Sequence, residues 1–453
     1  MKPLHFTIGE RPHISRRRLF RLAGSGLTVS WLAGRLPAEQ GFTQADITTK
    51  NSAKNCIFIL LTGAPSHTDT FDYKATPEKP ADLLKPETTN DILWPTGLLP
   101  NIGNHLGDVA IIRSLRSWAL VHSLSQTWYQ IGRNPAAVLG DIAPNLGSIV
   151  AIEKEGERRP GQVFPTFLAL NAPSGIGSGY LASAYSPFRV TPTTTGLRDT
   201  ANPDDATGNG VMRERFDLLD ALDKSLRTEA PYGRDLSDMD SFYQAARGMM
   251  YNPDVAQAFG FSAAESSLYG NSAFGNACLV AKKVLTADQG TRFIQINFGS
   301  WDHHQQIYAD ANLPRMSRML DAGVAQLLTD LKATGLLDST LVVMMGEFGR
   351  TVGALSGAQG RDHWMQQFAL FAGAGVQGGS VIGSTDATGL QTADPGWSRG
   401  RDVRPEDVEA TIYSAMGINW TKVRYDDPFH RGFYYVPDSD QDIYGPVNEL
   451  WGK

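Results

Sequence analysis

The chain has 453 residues, a formal net charge of −6 and 42% hydrophobic residues. That length and apolar fraction allow one large domain or two modest ones around a substantial core. The charge includes no long run of Lys and Arg, which excludes the clustered basic surface that nucleic-acid binding requires.

In chain order, the first feature is Ser15-Arg16-Arg17-Arg18-Leu19-Phe20-Arg21, followed by a mostly apolar run from Leu22 to Ala33. A basic patch before a short apolar run is the pattern of a signal peptide. The run is too short to span a membrane. Two arginines, a third residue, two apolar residues and a base match the twin-arginine signal. Residues 1–38 are therefore read as that signal, cleaved near Ala38, with the twin-arginine translocase as the partner during export. No cysteine follows the run, so no lipid anchor is expected there. No later segment reaches transmembrane length, so no stable membrane span is expected. The mature protein is expected to be periplasmic or secreted.

Asn55 to Leu61 is a continuous apolar run ending in Thr62-Gly63, which suits a strand buried on both faces. Similar runs predict strands over 109–112, 292–298, 340–345 and 368–372. Between the third and fourth of these, Met316, Met319, Leu320, Val324, Leu327, Leu328 and Leu331 share one helical face, with Gly335 as the stop. Helix, short turn and apolar strand make the unit of a parallel sheet. A last helix opens at Pro405, carries Glu406 and Asp407 in its first turn and closes at Gly417. Residues 171–209 are rich in Gly, Ser, Thr, Pro and Asp and predict a long loop or insertion. Residues 213–275 predict mostly helix. Cys56 and Cys278 both sit in apolar runs and are read as two buried thiols rather than a disulfide. The fold class that follows is α/β, a doubly wound, mostly parallel sheet sandwiched by helices.

Polar clusters sit beside these strands. Gly63 to Asp72 (Gly-Ala-Pro-Ser-His-Thr-Asp-Thr-Phe-Asp) follows the first, Trp301-Asp302-His303-His304 the third, and Gly346-Glu347-Phe348-Gly349-Arg350-Thr351 the fourth. Ligand crevices in open α/β sheets lie outside the carboxyl ends of the strands. A further cluster, Gly360-Arg361-Asp362-His363-Trp364, precedes the fifth strand and would enter it from the other end unless its loop folds back. Imidazole and carboxylate together suit zinc and also permit manganese or calcium. Asp302 and His304 are two apart, so on an extended stretch both side chains reach the same way.

These motifs, with Gly-Ser-Thr-Asp-Ala-Thr-Gly at 383–389, occur in an order that resembles the family called domain of unknown function 1501. That family is placed in the alkaline-phosphatase and sulfatase-like superfamily. The resemblance covers roughly 50–420, with an insertion at about 171–290 and a C-terminal extension over 421–453. It implies an exported metal-dependent hydrolase of phosphate, sulfate or phosphonate esters, acting on a small-molecule or polysaccharide ester. It also implies a two-ion site. Asp302, His304 and His363 match the ligands of one ion, and Asp69 and Glu347 match two ligands of the other.

The sequence departs from the phosphatase pattern in three ways. The acidic-His pair reads Glu347-Phe348, and Phe cannot bind a metal; the Asp-to-His spacing is two rather than four; and no nucleophile is evident. His303, Asp72 or Asp362 could supply a missing ligand. Ser123, Ser125 and Thr127, or Ser66 and Thr68, are candidate nucleophiles, with Ser123 taken first. Arg113 and Arg350 are candidate partners for the ester's oxyanion. Neither Cys has a Pro two residues on, which argues against a formylglycine sulfatase. Two other outcomes on the same fold are a phosphoryl or sulfuryl transferase and a non-catalytic binding protein using Trp94, Trp118, Trp128 and Trp301.

Overall fold

The computed structural model describes residues 47–172, 174–198, 200, 211–228 and 245–452. The twin-arginine segment lies outside the described residues. Eight strands form the central sheet: β1 (Asn55–Leu61), β2 (Val109–Arg116), β3 (Phe167–Leu170), β4 (Phe188–Val190), β5 (Phe293–Phe298), β6 (Thr340–Gly346), β7 (Gln366–Ala372) and β8 (Ser380–Ile382). Their order across the sheet is β8-β2-β7-β6-β1-β5-β3-β4. The strand at 109–112 therefore continues to Arg116, and three short strands escaped the sequence pattern because each is only three or four residues long.

β1 runs parallel to both neighbours, with Ile57 opposite Ile294 of β5 and Val342 of β6. β7 alone runs the other way. It pairs antiparallel with β6 (Ala372 opposite Val342) and with β2 (Gln366 opposite Arg116). This reversal removes the difficulty over the cluster before β7. The start of β7 lies at the edge where β1, β2, β5 and β6 end, so His363 enters from the same side as Asp302 and Glu347.

Alternation along β1 separates two cores. Ile57, Ile59 and Leu61 join one, and Cys56, Phe58 and Leu60 the other. Helices α1 (His122–Ile131), α2 (Leu146–Glu153), α3 (Val211–Thr228), α4 (Ala273–Ala287), α5 (Leu313–Ala333) and α6 (Pro405–Ala415) include the sheet's two covering layers. Cys278 of α4 and Leu320, Leu327 and Leu328 of α5 fill the first core. Ile149 and Val150 of α2, with Ile412 and Tyr413 of α6, fill the second. Each such aliphatic side chain, once fully buried, contributes about 1.5–3 kcal/mol. Gly335 has a φ of 71° just beyond α5, the left-handed turn that ends a helix there. At the start of α6 the Asp407 carboxylate accepts the Arg404 backbone N–H at 2.9 Å.

Val447 and Leu450 are buried in the second core, so the last thirty or so residues close the fold rather than trail from it. Both cysteines are buried and free. Among the described residues, no helix is long and apolar enough to cross a membrane.

Candidate metal centre

Close backbone packing brings the strand ends together. Gly63, in the turn after β1, has a φ of +99°, and a Cβ there would stand 2.7 Å from the backbone nitrogens of Trp301 and Asp302. Only glycine lets this turn rest on the one after β5. Beyond β6, Gly349–Arg350 pairs antiparallel with His363–Trp364, Arg350 opposite His363, and this short ladder folds the loop back to β7. Beyond β2, the chain turns into α1, whose first residue is His122.

Four side chains converge here. His122, Asp302, His304 and His363 each offer one ligand atom, and these atoms all lie within 4.8 Å of one another. Asp302 Oδ1 is 2.9 Å from His304 Nε2, 3.4 Å from His122 Nε2 and 3.8 Å from His363 Nε2. His304 Nε2 and His363 Nε2 are 3.1 Å apart. Ligands at about 2.0–2.1 Å from a tetrahedral zinc stand roughly 3.3 Å from each other, inside this range.

The chemistry of the donors fits a cation as well. His122 Nδ1 is 2.7 Å from Glu347 Oε1, and His363 Nδ1 is 2.7 Å from the Leu120 carbonyl. Both partners accept, so each Nδ1 carries a proton, and a neutral ring keeps its lone pair on Nε2. The His122 Nε2 is buried with no hydrogen-bond partner, an orphan that a cation would satisfy. The hydrogen bond that His122 donates to Glu347 raises the His122 pKa against the effect of burial. Burial lowers that of His363. For Asp302 burial pushes upward, but the hydrogen bond and charge of Arg350, with His304 and His122, hold the carboxyl below its ordinary range.

Phe348, which cannot ligate, packs against two of the imidazoles, whose own centroids are 4.5 Å apart. Its ring centroid is 4.8 Å from that of His122 and 4.6 Å from that of His363. On the solvent side, a cleft of about 360 Å³ is lined by Asp302, His303, His304, Gln305, Gln306 and Asn312.

The other predicted site residues do not join the four ligand atoms, though several border them. Asp69 is fully buried outside the cluster, its carboxylate accepting from Ser66 Oγ at 2.5 Å, Arg361 Nε at 2.7 Å and Tyr308 OH at 2.8 Å. Lys79 Nζ adds an ion pair at 3.4 Å. With its lone pairs met by protein donors, Asp69 offers nothing to an ion. Glu347 is buried behind His122 and does not join the four ligand atoms. Arg350 does reach the cluster, 2.6 Å from Asp302 and with Nη1 3.4 Å from His304 Nε2, and it also donates to the carbonyls of Gly63, Ala64 and Arg361. Arg113 pairs with Asp72 at 3.3 Å and donates to Phe71 O. Asp362 is exposed, 3.7 Å from His304 Nδ1, and His303 is buried, its pKa pushed down to about 4 first by burial and then by Arg350.

Among the hydroxyls, Ser125 donates to Glu347 O at 2.7 Å and Thr127 to Ser123 O at 2.8 Å. Ser123 is exposed in the first turn of α1, beside His122. Trp94 and Trp301 are buried, leaving Trp118 as the exposed member of the four tryptophans considered as a binding surface. His122 is the member of the cluster that sequence reasoning missed. Its signal was position: it opens a helix just past the end of a sheet strand, at the edge where the other clusters gather.

The fold and the site together define a doubly wound α/β protein with three imidazoles and a carboxylate gathered at its strand ends. The chain belongs to the family described as Protein of unknown function (DUF1501), which it matches over residues 53–430. No curated protein matches it. Similar solved structures include the PsFucS1 sulfatase from Pseudoalteromonas sp., at 13% identity and a TM-score of 0.39 over 82% of this chain and 69% of that one. The lipoteichoic acid synthase LtaP from Listeria monocytogenes is similar at 11% identity and a TM-score of 0.39, over 86% and 77%. A TAB5 alkaline phosphatase mutant with Mg bound is similar at 11% identity and a TM-score of 0.35, over 82% and 99%. Likenesses this distant say nothing of the reaction this chain performs.

Proposed function

We propose that this protein is a metal-dependent hydrolase of phosphate, sulfate or phosphonate esters that works in the periplasm or outside the cell. The observation that carries the reading is the convergence of His122, Asp302, His304 and His363, with an orphaned imidazole nitrogen aimed into the group. These four would hold one divalent ion, with zinc expected first and manganese or calcium permitted. Such an ion supplies Lewis acidity toward an ester oxygen. The chain's own groups do the positioning. Arg350 fixes Asp302 through a 2.6 Å contact, and Phe348 sets the planes of His122 and His363. The cleft beside His304 receives the ester, and the exposed Ser123 hydroxyl is the candidate nucleophile. The twin-arginine pattern at Ser15–Arg21 supports the location.

Elemental analysis of protein purified from its native compartment, without chelator or nickel resin, tests the reading. Near-stoichiometric zinc, manganese or calcium, followed by turnover of an aryl phosphate or sulfate in that metal's presence, is the expected result. Protein that holds no metal and takes none up on titration would overturn it. A second reading, a non-catalytic binding protein on the same fold, draws on the fact that Ser125, Thr127, Arg113 and Arg350 spend their donors on protein acceptors. Stoichiometric metal without ester turnover would favour that second reading.

A further inference from the structure

The residue that the sequence pattern offers as a metal ligand, Glu347, is placed to act through another residue. We propose that Glu347 is the positioning residue of the metal centre, fixing the tautomer and ring plane of His122; this rests on the reading of the four-residue cluster as a metal site.

Glu347 follows β6 directly and is fully buried. Three donors converge on its Oε1: His122 Nδ1 at 2.7 Å, the Gly63 backbone N–H at 2.8 Å and Gln126 Nε2 at 3.0 Å. Its carbonyl is pinned as well, accepting from Ser117 Oγ at 2.6 Å and Ser125 Oγ at 2.7 Å. The side chain is thus held from the turn after β1 and from α1, and the main chain from α1 and the residue just past β2. The hydrogen bond His122 makes among the described residues is the one to this carboxylate, and its other polar neighbour, Asp302, stands 3.4 Å from Nε2. A carboxylate that takes the Nδ1 proton leaves the Nε2 lone pair facing the cluster and makes the imidazole a stronger ligand. Phe348 completes the arrangement by packing against the same ring. The next residue in the chain therefore guides the imidazole as Glu347 does.

The second oxygen, Oε2, is buried with no partner. Direct ligation through Oε2 is the competing assignment, and a double-mutant cycle separates the two. The dissociation constant for zinc is measured by competition with a chromophoric chelator on the full-length mature chain, for wild type, Glu347→Gln, His122→Ala and the double variant. Glu347→Gln is expected to weaken zinc binding by about 10–100-fold. In the His122→Ala background the same change is expected to cost nothing further, because its route to the ion is gone. Unfolding of the metal-free proteins is the control, and Glu347→Gln should leave its midpoint unchanged. A full additional loss in the double variant overturns the proposal in favour of direct ligation or an independent role. An affinity loss accompanied by a fall in the metal-free midpoint overturns it in favour of a purely structural one. Where His122→Ala binds too weakly to measure, zinc X-ray absorption on saturated Glu347→Gln decides: an unchanged ligand set supports the proposal, and one oxygen fewer refutes it. Wild-type protein that binds no zinc, manganese or calcium removes the metal reading itself, whereas wild-type binding with an additive cycle removes this inference alone.

Discussion

Asp69 and Asp302 stand at the same edge of the sheet, one in the turn after β1 and the other in the turn after β5. Asp69 is fully buried among Ser66, Lys79, Tyr308 and Arg361, where donors match its lone pairs. Asp302 is half open to solvent and faces Arg350 and three imidazole nitrogens, at least two of which point a lone pair rather than a proton toward the group. The two regions share residue types and differ in satisfaction. A structural ionic network is one where acceptors have found donors. A candidate cation site is one where lone pairs outnumber the donors that face them, a crowding that an ion would relieve.

The largest expected effect separates the regions outright. Replacing Asp302 and His304 together with Ala should abolish stoichiometric metal uptake, read by elemental analysis, while the metal-free protein still folds cooperatively. Both side chains are substantially exposed, so little packing is lost, and the stability cost comes from leaving the buried Arg350 without its carboxylate partner. Metal content unchanged in that variant would dissolve the distinction, and the cluster would then be a polar surface.

The opposite pattern is expected at the buried network. Asp69→Ala leaves Arg361 and Lys79 buried without their counter-charge and should cost about 3–5 kcal/mol in denaturant unfolding, with metal content retained. Loss of metal without loss of stability would instead return Asp69 to the ion.

Acid sharpens the contrast. Burial opposes ionisation of Asp69, but Lys79 and Arg361 prevail, and its pKa falls from 3.8 to about 2. The folded pKa lies below the unfolded one, so the network's stabilisation is fully present above pH 3.8 and is lost as pH falls through 2. It amounts to about 2 kcal/mol, and Asp69→Ala should flatten the stability profile across that window by the same amount. An unchanged slope between pH 4 and 2 would mean that the carboxylate is not the group being protonated.

The legibility of the fold and that of the site differ for related reasons. β1, β6 and β7 are buried on both faces and carry unbroken apolar stretches, and β5 stays recognisable although Gln295 and Asn297 interrupt it. β3, β4 and β8 are too short to do so, and no local pattern could announce that β7 runs antiparallel. That single reversal is what places His363 with Asp302. Asp302, His304 and His363 stand out in the sequence because a Trp-Asp-His-His turn and an Arg-Asp-His turn sit beside such runs. Asp69 looks equivalent there because its neutralising partners are distant in the chain: Tyr308 lies beyond β5 and Arg361 before β7. His122 escapes because its motif has no second acidic or imidazole residue beside it; the carboxylate that orients it, Glu347, is 225 residues away.

The smallest structural effect tests the reaction rather than the ion. Ser123 is exposed in the first turn of α1, next to His122, and among the described residues no hydrogen bond holds its hydroxyl, whereas the hydroxyls of Ser125 and Thr127 are committed to backbone carbonyls. Ser123→Ala should therefore change stability by less than about 0.5 kcal/mol and leave metal content intact. If its hydroxyl attacks the ester, turnover should fall by at least two orders of magnitude with metal and fold unaltered, since a nucleophile has no substitute in its own step. If turnover is unchanged, attack comes from water, and Ser123 leaves the mechanism while the cluster stays. That outcome would narrow the comparison to its essential part: one edge of the sheet carries both a closed network that holds the turn after β1 and an open one that binds the ion, and the reactive oxygen would have to come from solvent at the second.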